Sequence, residues 1–512
     1  MSTTTASQSA GGSKFGLFWN IVVYGLTIVF SLAVLVELIN VMFYDPYGDE
    51  YFLFRTAGVF AGVDISTLTW WMFGSLAVLL MAGLPLAFVT GGLGCVFVYT
   101  IGDQAMLNIL PSRIFPMMTN SDLSAIPLFI FMAAMLEKAG IIEEMFSVAY
   151  KWMGGLRGGL AAATIVASTI LAAMVGVIGA AVVTMGILAL PAMLSRNYDE
   201  KIALGSIMAG GTLGILIPPS ILAILYAVVA QQSVGELYIG AVLPGLLLSG
   251  MYVTYVLIRA FTNKDLCPAM PKEELISWME KIKLLKGLIA PIFLVFLVLG
   301  LLFGGIATPV EAAGLGSFGA VIVAIIQRKF SLLVLKEASM TTLRAATMVL
   351  WIMFGASLFV GFYILQGGAA FITEAMLGLG LGSYGILFLM MFLLVILGMF
   401  LDWVGILLLA VPIFVPIIKT LTFPGLFGMP GPAPEDVALW FGILYIVNMQ
   451  MSFLSPPFGY ALFYIRGVCP PHIKMSTIFM ASIPFLVMQV IGLMIVVIFP
   501  AMCTYLPSVV YG

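Results

Sequence analysis

Two long apolar stretches of this sequence are each interrupted by two consecutive prolines. Pro218-Pro219, here called the first break, lies inside the segment 202–229, and Pro456-Pro457, the second break, lies inside the segment 439–465. Proline has no backbone N–H and disrupts a helix at that point. Broken backbone at membrane depth is tolerated only where protein buries it or where it lines a cavity. We therefore expect two broken helices whose freed main-chain groups can bind a cation or a small anion.

The composition indicates that these segments lie in a lipid bilayer. Of the 512 residues, 62% are hydrophobic and 9% are charged, whereas globular domains carry about 45–50% apolar and about 25% charged residues. The net charge of −2 argues against nucleic acid as a partner. The four cysteines show no metal or redox spacing. The sequence therefore predicts an all-α polytopic membrane protein.

Two further apolar stretches are predicted to form re-entrant helical hairpins, which enter and leave the membrane on the same side. The first hairpin spans about 160–195 and has Gly176 near its centre. The second hairpin spans about 384–418 and has Gly398 and Asp402 near its tip. A continuous helix would not explain the central glycines, because glycine weakens a helix interior.

The distribution of positive charge supports the hairpins and sets an orientation. With both hairpins re-entrant, all 21 Lys and Arg residues except Arg55, Arg113 and Lys419 fall on one face. Cytoplasmic loops carry the excess of Lys and Arg. The prediction is therefore a cytoplasmic N-terminus and a periplasmic C-terminus.

Landmarks recur in the same order in the two halves of the chain. Gly83-Leu84-Pro85 corresponds to Thr308-Pro309, Leu190-Pro191 to Val411-Pro412, and the first break to the second. By the charge count the Pro85 turn faces inward and the Pro309 turn outward, which predicts inverted-topology repeats, a signature of secondary transporters. The predicted organisation is a disordered terminus at 1–16, an extra anchor helix and interfacial segment at 17–65, a first repeat at 66–260, a cytoplasmic linker at 261–286 and a second repeat at 287–505.

Six motifs follow one another from about residue 68 to the end of the chain. They are Ala125-Ile-Pro-Leu-Phe-Ile130, Gly211-Thr-Leu-Gly-Ile-Leu-Ile-Pro-Pro-Ser220, Gly240-Ala-Val-Leu-Pro-Gly-Leu-Leu247, Ala307-Thr-Pro-Val-Glu-Ala-Ala313, Gly398-Met-Phe-Leu-Asp402 and Leu454-Ser-Pro-Pro-Phe-Gly459. In this order they resemble the large membrane subunit of tripartite ATP-independent periplasmic (TRAP) transporters, within the ion transporter superfamily.

The resemblance implies an elevator-type carrier, in which a transport domain of hairpins and broken helices moves against a scaffold. It implies uptake of a small organic acid, of carboxylate or 2-oxo acid type, across the bacterial inner membrane. Sodium is the implied coupling ion, and no other cofactor is expected. The implied partners are a periplasmic substrate-binding protein and a small four-helix membrane subunit, which the extra helix at 17–41 is too short to replace.

Sodium is a hard cation and prefers oxygen ligands. The first predicted sodium site comprises Gly176, Gly210, Gly211, Thr212 and Ile215. The second comprises Gly398, Asp402, Gln450, Ser452 and Ser455. Other roles stay open: the glycines can serve close helix packing, the hydroxyls can bond within their own helix, and Asp402 can carry a proton or cap a helix.

An anionic substrate is expected to bind main-chain N–H groups, because neither hairpin and neither broken core contains Lys or Arg. The predicted substrate-binding residues are Pro218, Pro219, Ser220, Pro456, Pro457 and Gly459, where the second half-helices begin. TRAP subunits often carry a Ser-Gly-Ser-like tip in the first hairpin. The tip Val175-Gly176-Val177 has no hydroxyl, which fits backbone coordination or a less polar substrate.

Three alternatives remain open from the sequence. A stand-alone or proton-coupled organic-anion carrier of related fold differs in coupling ion and in its need for a binding protein. A channel also uses re-entrant hairpins, but paired breaks in a repeat favour alternating access. An intramembrane enzyme is disfavoured, since the single histidine, His472, lies in a loop and no Gly-x-Ser-x-Gly turn is present.

Overall fold

The computed structural model describes residues 32, 60–102, 106, 108–175, 178–263, 265–271 and 276–511. Within these ranges the regular structure is helical, with twenty α-helices and no strand. Four predictions lie wholly or largely outside the described residues. They concern the terminus at 1–16, the anchor helix at 17–41, the interfacial segment at 51–63 and the sodium ligand Gly176.

The helices divide equally between the two halves of the chain. The first half contains α1 Ile65–Met81, α2 Leu86–Thr100, α3 Ile109–Met118, α4 Ala125–Lys138, α5 Ile141–Met153, α6 Gly159–Val175, α7 Ile178–Leu194, α8 Glu200–Thr212, α9 Ile221–Ala230 and α10 Val234–Thr262. The second half contains α11 Trp278–Phe303, α12 Pro309–Ile326, α13 Leu332–Leu365, α14 Gly368–Leu377, α15 Gly382–Phe400, α16 Trp403–Thr420, α17 Val437–Leu454, α18 Tyr460–Val468, α19 Met475–Ile498 and α20 Ala501–Tyr511.

Membrane-spanning capacity follows from helix length and apolar composition. Eight helices of the described ranges are long and apolar enough to cross a bilayer, or nine if the bent pair α3–α4 forms one span. The chain is therefore an all-α polytopic membrane protein, as predicted. Both arms of the second hairpin, α15 and α16, are among the eight. The re-entrant path of that hairpin thus stays a prediction.

Both predicted helix interruptions are confirmed. α8 ends at Thr212, a 3-10 turn follows, and α9 begins at Ile221. α17 ends at Leu454 and α18 begins at Tyr460. The prolines that lack N–H groups lie inside both gaps, so the helical hydrogen-bond ladder stops at each of them.

Each hairpin packs on the broken helix of its own half. α6 and α7 contact each other and both contact α8. In the second half, α15 and α16 contact each other and both contact α17. The first half-helix of each broken segment is thus enclosed by the two arms of a hairpin.

Contacts between the halves occur in matched pairs. α9 packs on α16 as α18 packs on α7, and α8 packs on α19 as α17 packs on α10. Two further sets of contacts are matched between the halves in the same way. The contact of α2 with α13 matches that of α12 with α4, and the contact of α5 with α11 matches that of α14 with α1. Such pairs of matching contacts are expected when two similar halves are related by a twofold axis. The direction in which each half crosses the membrane stays a prediction.

The structure contains helices that the sequence analysis does not identify. They include α3, between α2 and α4, and α5, in a charged segment before the first hairpin. α5 was missed because Glu143, Glu144 and Lys151 interrupt its apolar pattern, although Ile141, Ile142 and Met145 are buried. α20 also has no counterpart in the prediction.

The linker between the halves is shorter than the predicted 261–286, because α11 begins at Trp278. Ser277 and Glu280 form a capping box there, in which each side chain accepts a hydrogen bond from the other residue's backbone N–H. Thr308 and Glu311 form the same motif at the start of α12, which gives Glu311 a structural role. The Thr308 amide and hydroxyl both donate to the Glu311 carboxylate.

Candidate ion and substrate site

The glycines of the first predicted sodium site lie at the contact between α8 and the first hairpin. A Cβ added to Gly210 would lie 2.8 Å from the Ser168 side chain in α6, and one added to Gly211 would lie 2.4 Å from the Val182 side chain in α7. The absence of a side chain therefore lets both arms approach α8. Close packing accounts for both glycines, and a carbonyl ligand role stays a prediction.

Thr212 is fully buried at the end of α8. Its hydroxyl donates to the Ala209 carbonyl at 2.8 Å and accepts from Gln489 Nε2 at 3.4 Å. Gln489, in α19, is fully buried and its Oε1 has no hydrogen-bond partner. Sequence reasoning missed Gln489, although an amide side chain inside an apolar helix was a usable signal.

The first break is closed by hydrogen bonds of its own residues. The Ser220 hydroxyl donates to the Ile215 carbonyl and accepts from the Ala223 amide at 3.4 Å. Tyr238 OH donates to the Ser220 carbonyl at 3.1 Å. Ser220 therefore caps α9, and both prolines of this break are buried. Substrate binding by these residues stays a prediction and would require the break to open.

The hydroxyls at the second break bond to helix carbonyls. Ser452 Oγ donates to the Leu394 carbonyl of α15 at 3.4 Å and to a carbonyl of its own helix at 3.3 Å. Ser455 Oγ donates to the carbonyl one turn earlier at 2.7 Å. Gly398 lies directly against Ser452, since an added Cβ would be 2.2 Å from the Ser452 Cβ. The structure thus brings the predicted ligands Gly398, Ser452 and Ser455 together. Both serine hydroxyls already donate their protons to helix carbonyls.

Four other polar side chains, three on α17 and one at the start of α16, have polar atoms without a partner. Gln450 is fully buried and neither of its amide atoms is hydrogen-bonded; Asn448 Oδ1, Tyr445 OH and Asp402 Oδ2 are likewise buried and unpaired. An unsatisfied buried polar group costs about 1–3 kcal/mol, and native structures usually provide a partner, which can be an ion or water. These atoms are therefore chemically suited to hold a cation.

Asp402 occupies the N-cap position of α16, but its side chain makes no capping hydrogen bond. The capping role and the ion-binding role of Asp402 both stay predictions. The described residues contain no group of three His, Cys, Asp or Glu side chains that could hold a metal. One carboxylate with neutral oxygen donors suits a hard cation better than a transition metal.

The second break, unlike the first, is accessible from outside the protein. Pro457 and Phe458 are exposed, and α18 begins two residues later at Tyr460. Gly459 is buried, and a Cβ there would lie 2.4 Å from the Phe453 carbonyl oxygen. The first-turn N–H groups of a helix have no intrahelical partner, and the positive end of its dipole lies there. An anion can therefore approach the start of α18.

Comparison with known proteins identifies similar transport proteins. The family profile "Tripartite ATP-independent periplasmic transporter, DctM component" matches residues 73–502. The C4-dicarboxylate TRAP transporter large permease protein DctM of Vibrio cholerae is 28% identical over 455 residues, covering 85% of this chain and 96% of that protein. The protein of the same name from Pseudomonas aeruginosa is 31% identical over 405 residues, covering 78% of this chain and 89% of its own length.

Two further similarities concern chain organisation and fold. The isethionate TRAP transporter permease protein DctMQ of Oleidesulfovibrio alaskensis is 29% identical over 442 residues, which are 86% of this chain and 65% of that protein. Among solved structures, the YdaH transporter of Alcanivorax borkumensis matches with a TM-score of 0.52 and 16% identity, over 83% of this chain and 97% of that chain. At 16% identity, this similarity shows only that the two proteins share a fold.

Proposed function

Because the chain belongs to the DctM family, the large permease subunit of TRAP transporters, we propose that it imports a small organic acid by sodium symport. It is a multi-pass membrane transport protein and not an enzyme. Membership of the family implies the inner membrane, a small membrane subunit and a periplasmic binding protein as partners. Sodium coupling, the class of substrate and the moving parts belong to the proposal.

The unpartnered polar atoms at the second break carry the proposal. Gln450 and Asp402 were predicted as sodium ligands, and both have buried oxygen atoms without a partner. A sodium ion would satisfy both, and the Asp402 carboxylate would balance its charge. The Ser452 and Ser455 oxygens can add lone pairs, because a donating hydroxyl still accepts.

The paired contacts support inverted repeats and an elevator mechanism. The hairpins and the broken helices hold one another across the halves, through α9 on α16 and α18 on α7. We assign the hairpin helices α6, α7, α15 and α16 and the broken helices α8, α9, α17 and α18 to the transport domain. The helices α1, α2, α4 and α11–α13 form the proposed scaffold. Sodium binding at the second break would order the tip of the second hairpin beside α18. The loaded domain would then slide across the scaffold, with the N-terminus cytoplasmic and the C-terminus periplasmic.

Reconstitution tests this function. The full chain is placed in liposomes with its small membrane subunit, and the external solution contains the cognate binding protein loaded with the acid that it binds. We expect uptake to require all three components and external sodium. Uptake that proceeds without the binding protein would favour a stand-alone carrier and contradict the tripartite function.

A proton-coupled carrier is the second candidate, and Asp402 is the observation that favours it. A carboxylate with a buried, unpaired oxygen inside a membrane protein can transfer a proton. Replacing sodium by potassium at constant pH separates the two candidates. Undiminished uptake in potassium would identify the proton as the coupling ion.

A further inference from the structure

Gln489 is a buried polar side chain of the last long helix, and it contacts the first broken helix. It lies in α19, is fully buried, and donates from Nε2 to the Thr212 hydroxyl at 3.4 Å. Its Oε1 has no hydrogen-bond partner. A buried acceptor without a partner is costly, and native structures usually supply one, which can be an ion or an ordered water. Gln489 Oε1 is therefore a candidate ligand atom.

The packing of α19 on α8 fixes the position of this oxygen. One turn before Gln489, the Phe485 ring lies against α8, where a Cβ added to Gly205 would be 2.4 Å from it. Gly205 and Thr212 are seven positions apart in α8, so they lie on the same face of that helix. Two successive contacts thus hold Gln489 beside the last residue of α8.

The end of α8 is electrostatically suited to a cation. The last carbonyl groups of a helix have no intrahelical partner, and the negative end of its dipole lies there. α8 ends at Thr212, directly before the first break. Its charged residues, Glu200 and Lys201, are in the first turn, and α19 has no charged residue. No fixed positive charge on these two helices therefore opposes a cation beside Gln489.

The tip of the first hairpin leaves the first predicted sodium site short of side-chain oxygens. Val175-Gly176-Val177 has no hydroxyl, so Thr212 is the only residue predicted for that site with an oxygen in its side chain. Hard cations take about six oxygen ligands. Main-chain carbonyls can supply some of them. An amide oxygen from α19 would supply one that the hairpin tip lacks.

Tyr252, in α10, offers an alternative partner for the Gln489 oxygen. Its ring packs on Phe485, with 5.6 Å between the ring centroids, and its hydroxyl is buried. Tyr252 OH and Gln489 Oε1 both lack a hydrogen-bond partner, so the structure does not join them to each other. A cation can bind both oxygens, because each has a free lone pair.

We propose that Gln489 Oε1 is a ligand of the sodium ion at the first break, together with Thr212. This inference rests on the proposed sodium symport and adds a ligand from the second half of the chain to a site of the first half. The α19 amide takes the place of the hydroxyls that the first hairpin tip lacks. Bound sodium would then join α19 to the end of α8.

Direct measurement of bound sodium tests this ligand role independently of transport. The full chain with its small membrane subunit, in lipid nanodiscs, is titrated with radioactive sodium. Gln489→Leu keeps a side chain of similar size and removes the oxygen. Losing one ligand of a charged group should raise the sodium concentration that half-fills the first site by about tenfold or more. Filling of the second site should be unchanged.

Two further variants separate the oxygen from the packing of its helix. Ser482→Ala is the matched control on α19, because Ser482 is fully buried and its hydroxyl donates within the helix, to the Phe479 carbonyl at 2.9 Å. It should leave the sodium titration unchanged. Gln489→Glu keeps the length of the side chain and an oxygen at its end, so it should retain sodium at the first site. It also decides the question if Gln489→Leu does not fold.

The outcomes separate this inference from the transport function. A sodium titration of Gln489→Leu equal to that of the wild type would overturn the ligand role, leaving the oxygen to a water or to Tyr252 and the symport standing. Loss of the first site in Gln489→Glu, or an equal loss in Ser482→Ala, would also overturn it. No sodium binding by the wild type, together with sodium-independent uptake in liposomes, would overturn both proposals.

Discussion

Side chains at the second break fall into two chemical groups. The hydroxyls of Ser452 and Ser455 donate to helix carbonyls, so they need no further partner. The Gln450 amide and Asp402 Oδ2 are buried without one. An unpaired buried polar atom is costly. A bound ion should therefore stabilise the protein most by contacting the Gln450 amide and Asp402 Oδ2.

Asp402→Asn should weaken sodium coupling while leaving membrane insertion intact. The change keeps the shape of the side chain and removes its negative charge. Interactions of a charged group are worth about 1.5–3 kcal/mol, so the sodium concentration for half-maximal uptake should rise about ten- to a hundredfold. Glu374→Gln, at an exposed carboxylate of α14, is the control. An unchanged sodium curve for Asp402→Asn would remove this residue from the ion site.

Gln450→Leu should separate stability from ion binding. Both amide atoms are unpaired, so an apolar side chain should leave the melting temperature in potassium unchanged or raised. The additional stabilisation that sodium gives the wild type should be lost. Thermal unfolding in KCl and NaCl measures both effects.

Asn448→Leu is the contrasting variant for that experiment. Asn448 Nδ2 donates to the Met391 carbonyl at 3.0 Å, so its loss removes a hydrogen bond between α17 and α15 and should lower the melting temperature in both salts. Full sodium stabilisation in Gln450→Leu would contradict the assignment of Gln450 as a ligand.

Sequence reasoning identified Gln450 and Asp402 because polar residues in an apolar segment are visible without a structure. It could not decide between ligand and packing roles for Gly210 and Gly211, since the Ser168 and Val182 side chains that they contact come from separate helices. Gln489 was missed although its amide also lies in an apolar helix, and only the structure shows what it contacts. Its bond to Thr212 joins residues that lie 277 positions apart.

Helix packing around the two broken segments depends on glycines, whose missing side chains let neighbouring helices approach. α6 and α7 approach α8 at Gly210 and Gly211, and α15 approaches α17 at Gly398. The sequence predicted the positions of these helices from apolar length and proline. It missed α3 and α5, because the prolines of α3 and the charges of α5 look like loop composition when the partner helix is unknown.

Gly211→Ala should destabilise the protein, whereas Gly250→Ala should not. Both glycines lie in helices, where alanine is favoured by about 0.5–1 kcal/mol. The new methyl at Gly211 would meet Val182 at 2.4 Å, and nothing lies within 4 Å of Gly250. Overpacking typically costs about 1–3 kcal/mol, so Gly211→Ala should show the lower melting temperature. Equal melting temperatures would contradict the close packing of α7 on α8.

The two halves of the molecule share matched helix contacts but have unequal breaks. Several matched pairs of contacts link the halves, yet the first break is closed by Ser220 and the second has Phe458 exposed. Repeated landmarks in the sequence predict two related halves, which these contacts support. They could not predict the difference, because it depends on side chains that approach each break from other helices.

Accumulation under imposed ion gradients decides whether these features form a sodium symporter. Liposomes that contain the chain and its small subunit receive the loaded binding protein under an inward sodium gradient, under equal sodium on both sides, or under an inward proton gradient without sodium. We expect the acid to accumulate above its external concentration only under the sodium gradient, and Asp402→Asn to reduce that accumulation at the same sodium concentration. Accumulation driven by the proton gradient in the absence of sodium would contradict sodium coupling at the second break.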